Sequence, residues 1–271
     1  MTGEFMTTEL PPLHTQDPTG RFSDRAFDYA RYRPRYPREA IDLILDGLGE
    51  PTQLVVADIG AGTGISARLI AERGANLYAV EPNIAMRSAA EPHPLVTWLD
   101  GSAEQTGLAN QSIDLVLCCQ AFHWFEPEAA LAEFHRILKR SGRVALIWND
   151  RNLDDEFTQD YTAIIRKAAD RQFFDRPDRK SATALASTPL FHNYRCHTVT
   201  HQYALDLNSL IGLALSASYI PKAGKAHDRL IEELQALHQH WTQAGEESTV
   251  FLSFQTNIYL ADYLADVRPA L

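Results

Sequence analysis

Leu54-Val55-Val56-Ala57-Asp58-Ile59-Gly60-Ala61-Gly62-Thr63-Gly64-Ile65-Ser66-Ala67-Arg68 is the stretch that decides the fold. An apolar, strand-like run passes through Asp58 into three alternating glycines and then into a helix-like segment. Without a Cβ, Gly60, Gly62 and Gly64 let the turn take dihedrals that other residues avoid, so a ligand can lie against bare amides at the helix N-terminus. The spacing is G-x-G-x-G, and Ile65 stands where a dinucleotide fingerprint has its third glycine. A carboxylate directly before the turn repels phosphate and suits an amino group or a positive centre. Both details favour a sulfonium nucleoside over a dinucleotide. The competing reading is a strand, turn and helix of an ordinary α/β fold that holds no ligand.

Working outward, strand-like and helix-like segments alternate from residue 38 to residue 150. Helices are expected over Arg38 to Leu48, Gly64 to Arg73, Asn83 to Ala90 and Glu128 to Leu138, and strands over Leu54 to Asp58, Asn76 to Val80, Val96 to Leu99, Asp114 to Cys119 and Arg143 to Trp148, the last after a Ser141-Gly142 turn. Nearly continuous apolar strands joined by helices predict a Rossmann-like, doubly wound and mainly parallel sheet covered on both faces. Its ligand should then cross the carboxyl ends of the strands. After Asp150 the pattern changes. Asp155 to Asp170, Leu207 to Ser218 and Lys225 to Ala244 read as helices, and Tyr194 to Ala204 and Thr249 to Leu260 as long strands. These extend the sheet antiparallel at its edge and carry a helical insertion, which is either a lid over the mouth or a plain packing layer. Three regions follow: a mobile leader over 1–21, a core over 22–150 that begins with a strap over 22–37, and an edge-completing, lid-bearing region over 151–271.

The 271 residues suffice for one sizeable core, and a hydrophobic share of 45% with 22% charged residues is that of a globular chain rather than a disordered one. A formal charge of −10 offers no basic footprint for a polyanion, which excludes nucleic acid as the expected partner. Three cysteines, Cys118, Cys119 and Cys196, form no chelating or pairing pattern and fit a reducing cytoplasm. Apolar runs fall short of the ~20 residues that span a bilayer, so no membrane segment is expected.

Glu81 ends the second expected strand, about 20 residues beyond the turn, where an acidic side chain meets ribose hydroxyls. His123 and Trp124 follow the fourth strand. An unperturbed histidine near pH 6.5 suits a general base, while a histidine flanked by aromatics is also a common pocket wall. Trp124 and Phe122 either offer π-faces to a cation or a flat molecule, or belong to the core. The strap is dense in Tyr and Arg, and Pro34 and Pro37 stiffen it as an extended segment. No metal site is expected: His197 and His201 lie ~13 Å apart on a strand, and His238 and His240 point apart on a helix.

The runs Val56 to Gly64, Val80-Glu81-Pro82, Gly101-Ser102-Ala103-Glu104 and Ile137 to Arg143 resemble class I S-adenosylmethionine-dependent methyltransferases. Tyr29 to Pro37 and Phe122-His123-Trp124 are similar to the small-molecule type 11 branch, of the trans-aconitate methyltransferase kind. The likeness is good over residues 22–150 and loose beyond. It implies S-adenosylmethionine as cofactor, with the turn of Gly60, Ala61, Gly62 and Gly64 under its methionine and ribose, Asp58 toward the amino group directly or through water, and Glu81 on the ribose. It places adenine between Pro82 and the Ser102-Ala103-Glu104 loop, with Ser102 where many relatives carry aspartate. Gln120 would lie near the sulfonium or the methionine tail, Tyr29 and Arg33 near the methionine carboxylate or the acceptor, and His123 and Trp124 where the methyl emerges. The expected reaction is in-line methyl transfer to an O, S or N atom of a small metabolite. The rivals are a nicotinamide-dependent reductase on a similar sheet and a nucleoside-binding protein without chemistry.

Overall fold

The computed structural model describes residues 11–17, 20, 22–176, 180–242 and 248–265. In chain order its first elements are helices α1 (Ala26–Tyr32) and α2 (Arg38–Leu45), strand β1 (Val55–Ile59), α3 (Ile65–Ala71), β2 (Asn76–Val80), α4 (Ile84–Ser88), β3 (Val96–Leu99), β4 (Ile113–Cys119), α5 (Pro127–Ile137) and β5 (Leu138–Arg151). Local chemistry sets these bounds. Asn83 caps α4 by accepting from the Ala85 and Met86 amides, and Glu126 caps α5 just before Pro127, whose fixed φ suits a first helical turn.

β1, β2, β3, β4 and β5 are all parallel, with Val56 in register with Leu77 on one side and Leu115 on the other. Alternation along each strand then fills two opposite faces. Val56, Leu77, Leu115 and Leu117 pack with Ile41 and Ile44 of α2 and Ile70 of α3, while Ile59, Val116 and Trp148 pack with Phe134 and Ile137 of α5. Each such side chain, taken wholly from water, contributes about 1.5–3 kcal/mol before entropy is charged.

The remainder comprises α6 (Glu156–Ala168), α7 (Arg171–Phe174), α8 (Thr183–Ser187), β6 (Phe191–Leu205), α9 (Leu207–Leu215), α10 (Lys225–Thr242) and β7 (Val250–Tyr263). Among the described residues the seven strands lie in the order β3-β2-β1-β4-β5-β7-β6. The two long C-terminal strands extend the sheet as expected; β7 runs antiparallel and lies between β5 and β6, which forms the margin. α9 and α10 leave from Leu205 and return at Val250, two residues that face each other across the β6–β7 ladder. Their apolar faces join Phe157, Tyr161 and Ile165 of α6 in a third cluster beyond the main core.

The N-terminal segment departs from the extended strap. Ser23–Arg25 forms a short turn and Ala26–Tyr32 is helical, so that only the segment around the two prolines is extended. The physical reason is placement: Pro34 and Pro37 both follow Tyr32, and nothing from 23 to 32 breaks a helix. Arg25 is buried and donates to the carbonyls of Leu215, Ala217 and Ile220 at 2.8, 2.8 and 2.6 Å, which ties this segment to the end of α9. Of the leader, residues 1–10, 18, 19 and 21 lie outside the described residues, whereas Leu13 is buried. No helix among the described residues is long and apolar enough to cross a membrane.

Candidate functional site

The strand order reverses between β1 and β4, and the carboxyl ends there open into two adjoining cavities of about 240 and 490 Å3. Gly60, Gly62, Gln120, Trp124, Phe22 and Tyr29 line both.

Gly60, Gly62 and Gly64 have φ of +68°, +59° and +73°, a region that side-chain-bearing residues avoid. A Cβ on Gly60 would stand 2.7 Å from that of Ala121, and one on Gly64 would stand 2.9 Å from the Trp98 ring. The amides of Gly60, Ala61, Gly62 and Gly64 are not bare, which narrows the reading from sequence to the amides that follow at the start of α3. Gly60 and Ala61 donate to the Val80 carbonyl at 2.9 and 3.1 Å, Gly62 to Glu81 Oε2 at 2.9 Å, and Gly64 to the Ala61 carbonyl at 2.9 Å. A buried N–H without a partner costs about 1–3 kcal/mol, so these four amides are satisfied within the protein, chiefly against the end of β2.

Glu81 is buried at the end of β2, with its Oε1 held by the Asn83 amide at 2.9 Å. Burial pushes its carboxyl above the ordinary range, and the Asn83 and Gly62 amides pull it back. The two bonds aim the carboxylate at the smaller cavity, whose wall it shares with Pro82, Ser102, Ala103 and Glu104. Ser102 Oγ accepts from the Gln105 amide at 3.2 Å, and Glu104 takes the Glu126 amide at 2.9 Å, so both also brace their loops.

Asp58 and Gly64 line neither cavity. Asp58 lies wholly beneath the turn, where burial lifts its pKa to about 7 against a hydrogen bond from Ser66, with the Glu81 charge adding to the rise. Ser66 Oγ donates to Asp58 Oδ2 at 2.6 Å, while Oδ1 has no partner. Ser66 and Thr63, whose buried Oγ1 is also without a partner, stand on the wall of the larger cavity in its place.

Gln120 sits between the cavities in the left-handed region at φ +58°, unusual for a residue with a Cβ. His123 and Trp124 belong to the turn Phe122–Trp124, with ring centroids 4.9 Å apart. His123 faces the larger cavity, and its Nδ1 accepts from the buried Trp148 indole at 3.4 Å. Phe122 is core, packed against Phe125 and Phe134. Arg33 lines the larger cavity with its guanidinium 4.9 Å above the Tyr29 ring, donates to the Ser216 carbonyl at 3.3 Å and has a buried, unpartnered Nε.

Several wall residues escaped the sequence reading. Asn149 and Arg151 close β5, and the rule that brought strand ends into view at Glu81 applies equally there. Arg151 stacks on Tyr161 and Phe174 at 5.0 and 5.9 Å and donates to Tyr219 Oη at 3.3 Å; it makes no ion pair among the described residues. Phe174 and Tyr219 arrive from distant segments, and no local signal announces them. Among the described residues no group of three potential metal ligands gathers.

A family model described as "Methyltransferase domain" matches residues 57–146. An uncharacterised methyltransferase of Mycobacterium tuberculosis is 34% identical over 192 residues, which is 70% of this chain and 74% of the relative. Among solved structures, one described as a type II methyltransferase from Anaeromyxobacter dehalogenans superposes with a TM-score of 0.62 at 23% identity, over 87% of this chain and all of that one. A Haemonchus contortus phosphoethanolamine N-methyltransferase, solved with phosphomonomethylethanolamine and S-adenosylhomocysteine, gives 0.52 at 17%, over 91% of this chain and 58% of that one.

Proposed function

The chain belongs to the class I S-adenosylmethionine-dependent methyltransferases, and from that premise we propose that it transfers the methyl group to an oxygen, sulfur or nitrogen of a small-molecule acceptor. The observation that carries the reading is the joined pair of cavities. Glu81 stands in the smaller, the positive-φ turn and Gln120 lie at the junction, and the larger chamber beyond has room for a second molecule.

The residues present fit the cofactor. Glu81 is held so that it can accept from two ribose hydroxyls, and Pro82 with Ser102, Ala103 and Glu104 form the slot for adenine. Gly60, Ala61 and Gly62 give room for the ribose and methionine, with Gly64 acting by closing the turn. Asp58 reaches the amino group through Ser66 or a water, since it is fully buried and lines neither cavity while Ser66 lines the larger one. Tyr29 and Arg33 hold the methionine carboxylate or the acceptor. When bound, S-adenosylmethionine supplies an already activated methyl, so the protein's share is alignment and exclusion of water, worth up to ~7–11 kcal/mol in well-oriented reactants. His123 and Trp124 shape the acceptor side, and with its Nδ1 lone pair taken by Trp148 the histidine positions more readily than it removes a proton.

The larger cavity carries Arg33, Arg151, Arg176 and Lys180 against Asp150, itself paired with Lys180, in a chain of net charge −10. That local reversal of sign favours an anionic acceptor. Calorimetry with S-adenosylhomocysteine tests the cofactor site: binding is expected, and absence of heat at millimolar ligand overturns the reading. A metabolite panel read by the mass gain of one methylene then tests the acceptor, with anionic members expected to score and a uniformly neutral set of hits counting against the charge argument.

A further inference from the structure

A line of three polar side chains runs from the wall of the larger cavity into the sheet. Asn149, on that wall, accepts at Oδ1 the hydroxyl proton of Thr256, 2.7 Å away on β7. Thr256 is fully buried and lies opposite Asn149 in register. Its oxygen is in turn 3.4 Å from Nδ1 of His201 on β6.

Counting protons decides the direction of this line. A threonine hydroxyl has one hydrogen. Given to Asn149, it leaves only lone pairs for His201, so the imidazole must carry its proton on Nδ1. The opposite ring nitrogen, Nε2, is buried without a partner. A proton there would be an orphaned buried N–H, rarer and costlier than an orphaned lone pair. Burial favours the neutral ring and holds the imidazole below its ordinary pKa, although a hydrogen bond to the Val199 backbone opposes it in part. The reverse line, with the Asn149 amide donating to Thr256 and Thr256 to His201, requires that orphaned N–H. His201 thus selects which end of the Asn149 amide turns inward.

We infer that Asn149 presents its side-chain N–H to the acceptor as an orienting donor, with Thr256 and His201 as positioning residues that fix the amide. Asn149 Nδ2 makes no hydrogen bond among the described residues, and Asn149 is a lining residue of the larger cavity. The acceptor must therefore offer it an oxygen or nitrogen lone pair, a demand separate from the atom that receives the methyl. The inference rests on the larger cavity being the acceptor chamber.

Two measurements decide it. In nitrogen-15 spectra of the imidazoles of the full chain, His201 is expected to be neutral at pH 7 with its proton on Nδ1; a proton on Nε2 overturns the relay. With an acceptor identified from the panel, Thr256→Val is expected to raise its KM about tenfold, the worth of one hydrogen bond, while S-adenosylhomocysteine affinity stays within about twofold. Thr256→Ser is expected to restore the KM. A KM unmoved by Thr256→Val, or moved equally by Thr256→Ser, overturns the positioning role. Loss of S-adenosylhomocysteine binding in the unaltered protein would instead sink the methyltransferase site, and the imidazole spectrum would still decide the relay.

Discussion

Asp58 keeps a carboxyl group where a charge is costly. Its pKa is raised from 3.8 to about 7, chiefly by burial. Between those values the folded chain retains a proton that the unfolded chain has lost, so stability falls as pH rises through the window, and the full penalty is present above it. Three units correspond to at most about 4 kcal/mol. Asp58→Asn still accepts from Ser66 and carries no charge, so its urea midpoint should change less than that of the parent between pH 5 and pH 8. An equal slope in both proteins would assign the pH dependence elsewhere. Glu81 offers the complementary case: Glu81→Ala strands the Gly62 and Asn83 amides and removes the proposed ribose acceptor. Cofactor-product affinity should drop a hundredfold or more by calorimetry, with a stability loss of about 2–4 kcal/mol. Both acids were legible in the sequence, because a carboxylate before a glycine turn and another at the next strand end are patterns of type and spacing. That Asp58 lies beneath the turn was not, since it depends on which way a single strand residue faces once β2 and β4 have closed around it.

At the scale of elements, β2 and β3 fall to the residue where alternation and the flanking polar residues place them. The glycine turn is the strictest of these pieces. Gly60→Ala adds a left-handed strain of about 1–2 kcal/mol and a collision with Ala121, for a loss of about 2–5 kcal/mol in chemical denaturation. A loss under 1 kcal/mol would show that the turn yields. α5 is pinned differently: Glu133 accepts the Thr106 amide and hydroxyl at 2.8 and 2.6 Å and pairs with Arg136 at 2.7 Å. Burial pushes its pKa up, yet the bonds from Arg136 and Thr106 prevail and hold it at about 2. Its contribution is present above pH 4.5 and lost as pH falls toward 2, so Glu133→Gln should flatten part of the acid limb of the stability curve. The helical form of residues 26–32 is not legible from Pro34 and Pro37, since a proline restricts the residue directly before it and leaves propensity two residues upstream unaffected.

Across the whole molecule, the N-terminal segment and the α9 region behave as one roof over the cavities. Arg25 bonds three carbonyls there, Lys222 pairs with Asp24 at 2.6 Å, and the Tyr32 ring lies where a Cβ on Gly212 would sit, at 2.4 Å. Arg25→Met should therefore loosen residues 22–32 and 207–220 together in hydrogen exchange and leave β1 and β4 protected. Loosening of one segment alone would deny the coupling. None of this could be read locally, because the partners lie some 190 residues apart in the chain and the place of β7 between β5 and β6 depends on ladder pairing rather than on pattern. The facing pair Leu205 and Val250 carries a last implication. A chain that leaves and re-enters a ladder at the same rung encloses a removable cassette, since lengthening or exchanging such an excursion costs only slowly rising closure entropy. Because Leu213 and Tyr219 of this excursion line the larger cavity, we propose that grafting at that rung changes the acceptor, provided the carbonyls that hold Arg25 are kept so that the N-terminal segment stays in place.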